Sequence, residues 1–321
     1  QKTVEKMASA QPVSEKRSIV AAAAKPPLPT SISFLTGGLG GIMGWLVVHP
    51  FNTCAIRMNL ASSSGVANKL SFLPFAAKIV KEEGFLSLYN GLPAGIVRQV
   101  FYATSRLGLF EVMRDFLAKY RENDIFSRLA VGVVSGGMAA VISCPAEVSL
   151  VRMSNDMALA ADKRRNYTSV VNAAVRIARE EGIATFWRGC MPFVNRAALV
   201  GACQVGTYDQ FRIEFKKLGV TAELSNVFAA SMASGLLYSL ITMPFETAKN
   251  RMAFQRPDPV TKLLPYKSTI QTILSVAKAD GALSLWSGFM PYYLRCGGHT
   301  VVMFISVEWL RGIYFSTLVK K

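Results

Sequence analysis

The sequence is poor in charge, and poorest in acid. Charged residues make up 17% of 321, with 20 Asp and Glu against 36 Lys and Arg, where a soluble domain carries about 25% charge. It has two histidines, His49 and His299, and no paired-carboxylate motif. Acid–base and metal catalysis therefore have little to work with, and neither an enzymatic activity nor a metal or other cofactor is expected. Of the five cysteines, Cys54, Cys144, Cys190, Cys203 and Cys296, none stands in a C-x-x-C pair, which removes the usual zinc and dithiol motifs. Most lie in apolar stretches and read as packing residues. A disordered chain would be less apolar than this one, at 51% hydrophobic. A nucleic-acid binder would carry more charge overall, so no nucleic-acid partner is expected.

What is present is a basic excess, a formal +16, on an apolar chain. That combination fits a membrane protein with basic faces. Two motifs recur. Glu83-Gly84, Glu181-Gly182 and Asp280-Gly281 are 98 and 99 residues apart, and Pro50, Pro145 and Pro244 are 95 and 99 apart. Agreement of two independent series establishes three tandem repeats. We divide the chain into a flexible N-terminal extension, 1–30, and repeats at 31–120, 121–218 and 219–321.

Each repeat opens with a segment free of Asp, Glu, Lys and Arg: 31–48, 129–146 and 224–245. Those lengths suit a bilayer span. The many glycines, such as Gly37, Gly40 and Gly44, let helices approach closely. Each segment reaches its proline and runs on helically, so a kinked helix is expected. A polar linker with a short amphipathic helix follows; Val170, Val171, Ala174, Ile177 and Ala178 form one such apolar stripe. A second long apolar segment, interrupted by arginine, completes the repeat. The expected fold is an all-α membrane protein: six transmembrane helices around a central cavity, plus three amphipathic helices on one side. The linkers carrying those helices hold thirteen Lys and Arg, against four in the short loops opposite. The positive-inside rule then puts the amphipathic helices in the inner compartment and both termini outside.

Arginine in mid-membrane is costly and marks a pathway or site. Arg98, Arg196 and Arg295 occupy matching positions, and each precedes an acid-x-x-Arg group by thirteen residues, about 20 Å of helix. Arg98, Tyr102 and Arg106 form one stripe at i, i+4 and i+8, and His299 follows Arg295 by one turn. Guanidinium forks bind carboxylates bidentately, so this set suits a small dianion. The competing reading is that the arginines snorkel, bind lipid phosphate or pair with acids, but the sequence places no obvious acid at their depth. The helix-end groups are expected to pair around a ring as Glu111 with Arg212, Asp209 with Arg311 and Glu308 with Arg114.

This pattern resembles the mitochondrial carrier family over about residues 31–315. The motif P-x-[DE]-x-x-[KR]-x-[KR] is complete in Pro244, Glu246, Lys249 and Arg251. It has Leu150 for the first base in the second repeat, and Asn52 and Ala55 for acid and base in the first. The stretches around Arg98–Gly108, Pro145–Val148, Trp187–Cys190 and Pro291–Thr300 are similar to those of its dicarboxylate-exchanging members. The resemblance implies antiport of dicarboxylates such as 2-oxoglutarate and malate across the inner mitochondrial membrane, both termini toward the intermembrane space. It implies a substrate site of Arg98, Tyr102, Arg106, Arg196, Arg295 and His299. It also implies a matrix gate at Asn52, Glu147, Lys249 and Glu246, and a cytoplasmic gate at Glu111, Arg114, Asp209, Arg212, Glu308 and Arg311. Cardiolipin is the implied bound lipid, held near Gly91, Arg188, Gly189 and Gly288. Asn90 and Ser287 replace a base at two of these sites, which makes the Arg188 site the strongest.

In the family each matrix acid pairs with the base of the next repeat. On that rule Asn52 meets Leu150, Glu147 meets Lys249, and Glu246 meets Ala55 and is left without a partner. One ion pair would then hold the matrix gate against three at the other end. Two missing pairs amount to about 1–2 kcal/mol, a bias of roughly 5- to 30-fold toward a matrix-open resting state. The alternative function is a carrier-like structural subunit of a larger respiratory complex, with transport lost or reduced through that erosion.

Overall fold

The structure is a computed structural model that describes residues 30–61, 71–120, 125–159, 161–220, 222–257 and 263–319. The N-terminal extension, save Thr30, lies outside the described residues. Among the described residues nine α-helices follow one another: α1 (Thr30–Ala61), α2 (Phe72–Glu83), α3 (Leu92–Ala118), α4 (Ile125–Asp156), α5 (Val170–Glu180), α6 (Cys190–Lys217), α7 (Glu223–Phe254), α8 (Thr269–Asp280) and α9 (Phe289–Val319). Among the described residues there is no strand.

The long helices α1, α3, α4, α6, α7 and α9 pack in chain order, and α9 returns onto α1 to close a ring. Glycine makes that closure possible. A Cβ on Gly40 would lie 2.5 Å from Val307 Cγ2, and one on Gly44 would lie 3.2 Å from His299. The outer face is apolar: Leu35, Leu39, Leu46 and Val47 on α1, and Leu236, Leu237, Leu240 and Ile241 on α7, are exposed. Among the described residues three helices are, by length and composition, apolar enough to cross a membrane, in the stretches Leu35–Ala61, Leu129–Asp156 and Ser225–Phe254. The other three long helices carry Arg98, Arg196 and Arg295.

Pro50, Pro145 and Pro244 lie inside α1, α4 and α7, as the kinked-helix reading expects. Beyond the prolines these helices converge on a small core of Ile56, Leu60, Cys144, Val148, Val151 and Ala253. The short helices α2, α5 and α8 lie beneath it, at what we call the linker end. Ser169 and Ser268 cap α5 and α8, accepting hydrogen bonds from Asn172 N at 3.1 Å and Gln271 N at 3.3 Å.

The glycines that open α3, α6 and α9 each have a positive φ, Gly91 +85°, Gly189 +87° and Gly288 +81°. A side chain there would also collide. The Cβ would sit 3.2 Å from the Leu150 carbonyl, 2.8 Å from that of Lys249 and 2.9 Å from that of Ala55. Each even-numbered span therefore starts pressed against the backbone of the next repeat's kinked helix, at the position of the motif's first base.

A second threefold contact ties the linkers to the spans. Arg57 donates to both oxygens of Glu83 at 2.8 Å, Arg152 to both of Glu181 at 2.6 and 2.9 Å, and Arg251 to Asp280 at 2.9 Å. These acids are the ones that precede the repeating glycines. Arg57 and Arg152 also donate through Nε to backbone carbonyls of the neighbouring kinked helix, Ser154 at 2.8 Å and Ala253 at 3.1 Å. Each thus joins its own linker to the adjacent repeat. Burial opposes the charge of Glu181, but the hydrogen bonds from Arg152, with Arg165 and Arg188 nearby, hold its carboxyl below the ordinary value.

Candidate functional site

Just past the prolines, buried charges form one chain across four helices. Lys249 on α7 donates to Glu147 on α4 and, at 2.8 Å, to Glu246 one turn before it. Arg98 Nε on α3 lies 3.4 Å from Glu147, and Arg196 Nε on α6 lies 3.0 Å from Glu246. The two carboxylates and Lys249 have side chains only 5–6% exposed.

Aromatic rings hold the arginines in place. Arg98 sits over Trp45 at 4.6 Å, Arg295 over Tyr292 at 4.8 Å, and Arg196 donates to the Tyr292 hydroxyl at 3.0 Å. Such contacts keep a guanidinium in position without neutralising it. Arg295 Nη2 is buried and has no hydrogen-bond partner among the described residues, and the same is true of His299 Nε2. His299 packs edge-on to Trp45, 6.3 Å between centroids. Tyr102 stacks on Phe193 at 6.0 Å, and Arg106 lies 6.0 Å from the Tyr102 ring. Arg106 stands two turns from Arg98, toward the end opposite the linkers.

The charge balance of this centre is informative. Arg98, Arg196, Arg295 and Lys249 supply four positive charges, and Glu147 and Glu246 two negative ones. Two positive charges remain, one for each carboxylate of a dianion.

Three expectations are corrected here. Glu246 is not without a partner: it takes Lys249 and Arg196. The gate at the linker end does not rest on one ion pair, since Lys249 holds two acids and each acid takes an arginine. Acids do stand within reach of the site arginines, because Arg98 and Arg196 extend toward the kinks and meet them. The pairing rule assigned each acid to one base on the next repeat and left the site arginines out of the count. With those pairs restored, the bias toward a matrix-open state loses its basis.

The first helix of repeat 1, α1, contributes no charge to this network; its second span contributes Arg98. Asn52 is buried with Nδ2 unbonded among the described residues, Ala55 packs with Met243 and Tyr292, and Leu150 packs with Trp45, Val48 and Ala94. Asn59 donates to Thr247 Oγ1 at 2.5 Å, which links α1 to α7 through neutral groups.

The opposite end is arranged differently. Arg114 donates to its neighbour Asp115 at 2.9–3.0 Å, and Arg311 to Glu308 on its own helix at 3.2 Å. The expected Glu308–Arg114 pair is not formed: Arg114 takes Asp115, and Glu308 takes Arg311. Arg212 has a partner of its own, Glu111 is exposed, and the Asp209 side chain lies outside the described residues. The linker end is therefore bridged by inter-helix ion pairs, whereas among the described residues the other end shows Arg114 and Arg311 paired within their own helices.

Sequence comparison places this geometry. Each of the three repeats matches the family of Mitochondrial carrier protein, over residues 26–121, 121–218 and 221–317. The chain belongs to the mitochondrial carrier family. It is a multi-pass protein of the mitochondrial membrane with that family's six-span fold. The carrier is 37% identical over 296 residues to the mitochondrial 2-oxoglutarate/malate carrier protein of Caenorhabditis elegans, covering 92% of this chain and 96% of the other. It is 38% identical over 293 residues to the human protein of the same name, 89% and 92% covered. Against the probable Dictyostelium discoideum counterpart it is 35% identical over 291 residues, 88% and 91% covered.

The arginines and the motif residues were visible in the sequence. The linker pairs Arg57–Glu83, Arg152–Glu181 and Arg251–Asp280 were not foreseen. Their signal was present: a base and an acid recur at separations of 26, 29 and 29 residues.

Proposed function

We infer that this carrier exchanges small dicarboxylates, such as 2-oxoglutarate and malate, across the inner mitochondrial membrane by alternating access. The observation that carries this reading is the excess of two positive charges in a buried network whose arginines are shared with the gate. An entering dianion meets Arg295 and Arg106 first. Its carboxylates then compete with Glu147 for Arg98 and with Glu246 for Arg196. Each arginine taken by substrate leaves its acid held only by Lys249. Substrate binding thus loosens the linker end, and an empty site lets the acids reclaim the arginines. As the linker end opens, Glu111, Arg114, Asp209, Arg212, Glu308 and Arg311 close the opposite end as inter-helix pairs. The names of the relatives support the substrate class. The basic linkers support a matrix position for the short helices, with both termini in the intermembrane space.

The alternative, a structural subunit of a respiratory complex, rested on an eroded gate, and the ion network removes that ground. Cardiolipin is proposed at the Arg188 site. A cavity of about 630 Å³ opens there, with Arg188 and Gly189 on one wall and Lys267, Ser268 and Thr269 on the other. The starts of α6 and α8 both point backbone N–H groups toward it, an arrangement suited to phosphate.

Uptake of labelled malate by purified protein in vesicles preloaded with 2-oxoglutarate tests the reading. Exchange is expected with the wild type and a loss of at least a hundredfold with Arg98→Ala. Unchanged exchange in Arg98→Ala overturns the site, and no exchange by a folded wild type overturns the function.

A further inference from the structure

We propose that Cys144 and Cys190 form a reversible disulfide on exposure to a peroxide, and that this bond clamps the linker end of the carrier closed. The two side chains meet in one place: Cys190 packs against the buried cluster to which Cys144 belongs, close enough for the thiols to interact. Cys144 is 1% exposed and belongs to the core where the kinked helices converge, and Cys190 packs against that core. They lie 46 positions apart in sequence, on the two long helices of repeat 2, so the fold alone brings them together.

Access comes from one side. Cys190 is half-buried and lines the cavity beside Arg188, so a molecule as small as hydrogen peroxide reaches it without the helices parting. It is also the first residue of α6, where unpaired backbone N–H groups favour the thiolate, the attacking form. Cys144, sealed behind it, is placed to resolve.

The chemistry balances with the peroxide as oxidant. The Cys190 thiolate attacks one peroxide oxygen; an S–O bond forms, the O–O bond breaks and hydroxide leaves, taking up a proton to become water. Cys144 sulfur then attacks the sulfenic sulfur; the S–S bond forms, the S–O bond breaks, and the Cys144 proton leaves with the oxygen as a second water. Two thiols lose two electrons and the peroxide gains them. Thiol–disulfide exchange with an excess of small dithiol reverses the change.

Position gives the bond its consequence. Cys144 precedes Glu147 by one turn of α4. Cys190 follows Gly189, whose Cβ position lies 2.8 Å from the Lys249 carbonyl. A disulfide would fix the backbone that carries one gate acid against the helix start that presses on the gate lysine. The pair needs no third residue, and among the described residues no cluster of three metal-ligating groups is present to compete for it.

The test uses purified full-length carrier in vesicles, treated with hydrogen peroxide and then with dithiothreitol. Peptide mapping without reduction is expected to show Cys144 joined to Cys190 with the loss of two hydrogens. Exchange is expected to fall at least fivefold and recover on reduction. Cys190→Ser is expected to abolish both the cross-link and the peroxide sensitivity. Cys144→Ala is expected to remove the cross-link and with it the reversible loss of exchange, leaving only a slower loss as Cys190 is oxidised on to the sulfinic acid, which dithiothreitol does not reduce. A Cys54→Ser, Cys203→Ser, Cys296→Ser triple variant is expected to respond as wild type. No cross-link at peroxide levels that modify Cys190 overturns the proposal, as does a cross-link with unchanged exchange. The cross-link is read chemically and stands apart from the exchange activity, on which the clamping half rests; a carrier that never exchanges dicarboxylates would fail the earlier experiment before any peroxide is added.

Discussion

The three repeats share a backbone but not a chemistry at the kinks. Repeats 2 and 3 meet through Glu147, Lys249 and Glu246, and hold Arg98 and Arg196 as well. Repeat 1 lends Arg98 to that joint, but its α1 brings only Asn52 and Ala55 to the same ring and is sealed by packing, with Leu150, Trp45, Val48 and Ala94 in one cluster. The difference teaches that threefold symmetry constrains where helices touch, not what holds them. Close approach is set by Gly91, Gly189 and Gly288 in all three repeats. The apolar joint adds cohesion that does not change with substrate, whereas the ionic joint shares its arginines with the proposed substrate site. Switching is therefore concentrated on one side of the ring.

The largest effect should come from removing the hub. Lys249→Ala leaves two buried carboxylates with only the arginines that substrate also needs. Breaking a buried ion network costs about 3–5 kcal/mol. Thermal unfolding of purified carrier should move down by several degrees, and exchange should fall at least a hundredfold. If both stay within error of wild type, the ionic joint is not what closes the linker end.

A smaller effect should follow from giving repeat 1 the chemistry of its siblings. Asn52→Asp alone buries a carboxylate opposite an apolar side chain and should destabilise the carrier by about 1–3 kcal/mol. Adding Leu150→Lys, at the position the family motif pairs with it, should return a third or more of that loss, read as coupling in a double-mutant cycle. Exchange by the double variant should be slower than wild type, because a third ion pair strengthens a gate that substrate must open. A double variant no more stable than Asn52→Asp would show that the first joint accepts only packing.

Much of this was legible in the sequence because repetition exposes itself. The glycines and prolines recur at fixed spacing, and the charge-free runs name the spans. Arg98, Arg196 and Arg295 stood out because arginine is costly in hydrocarbon. What escaped was the reach of those side chains. A motif read along one helix pairs Glu246 with the next repeat's Ala55 and finds nothing; only the ring puts Arg196 within 3.0 Å of it. The proximity of Cys144 and Cys190 escaped for the same reason. Neither thiol belongs to a spaced motif, and their meeting depends on how α6 starts against α4.

The smallest effect concerns the linkers, where the ionic side of the ring continues outside the membrane. Glu181 is shared by Arg152 and Arg188, at 2.6 and 2.8 Å. Because these bases hold its carboxyl below the ordinary value against the opposing effect of burial, the unfolded chain binds the proton more readily than the folded one. The pair's contribution is therefore complete above the ordinary carboxylate value and fades as pH falls through the lowered one. A charge-assisted pair of this kind contributes about 1–2 kcal/mol. Unfolding temperatures of purified carrier should decline on acidification below about pH 4.5, and Glu181→Gln should make part of that decline disappear while lowering stability at neutral pH. Equal acid sensitivity in wild type and variant would place the titrating group elsewhere. It would also mean that the bridges from Arg152 and Arg188 add little to the hold on α5, leaving the linker of repeat 2 no more ionic in its behaviour than the packed joint of α1.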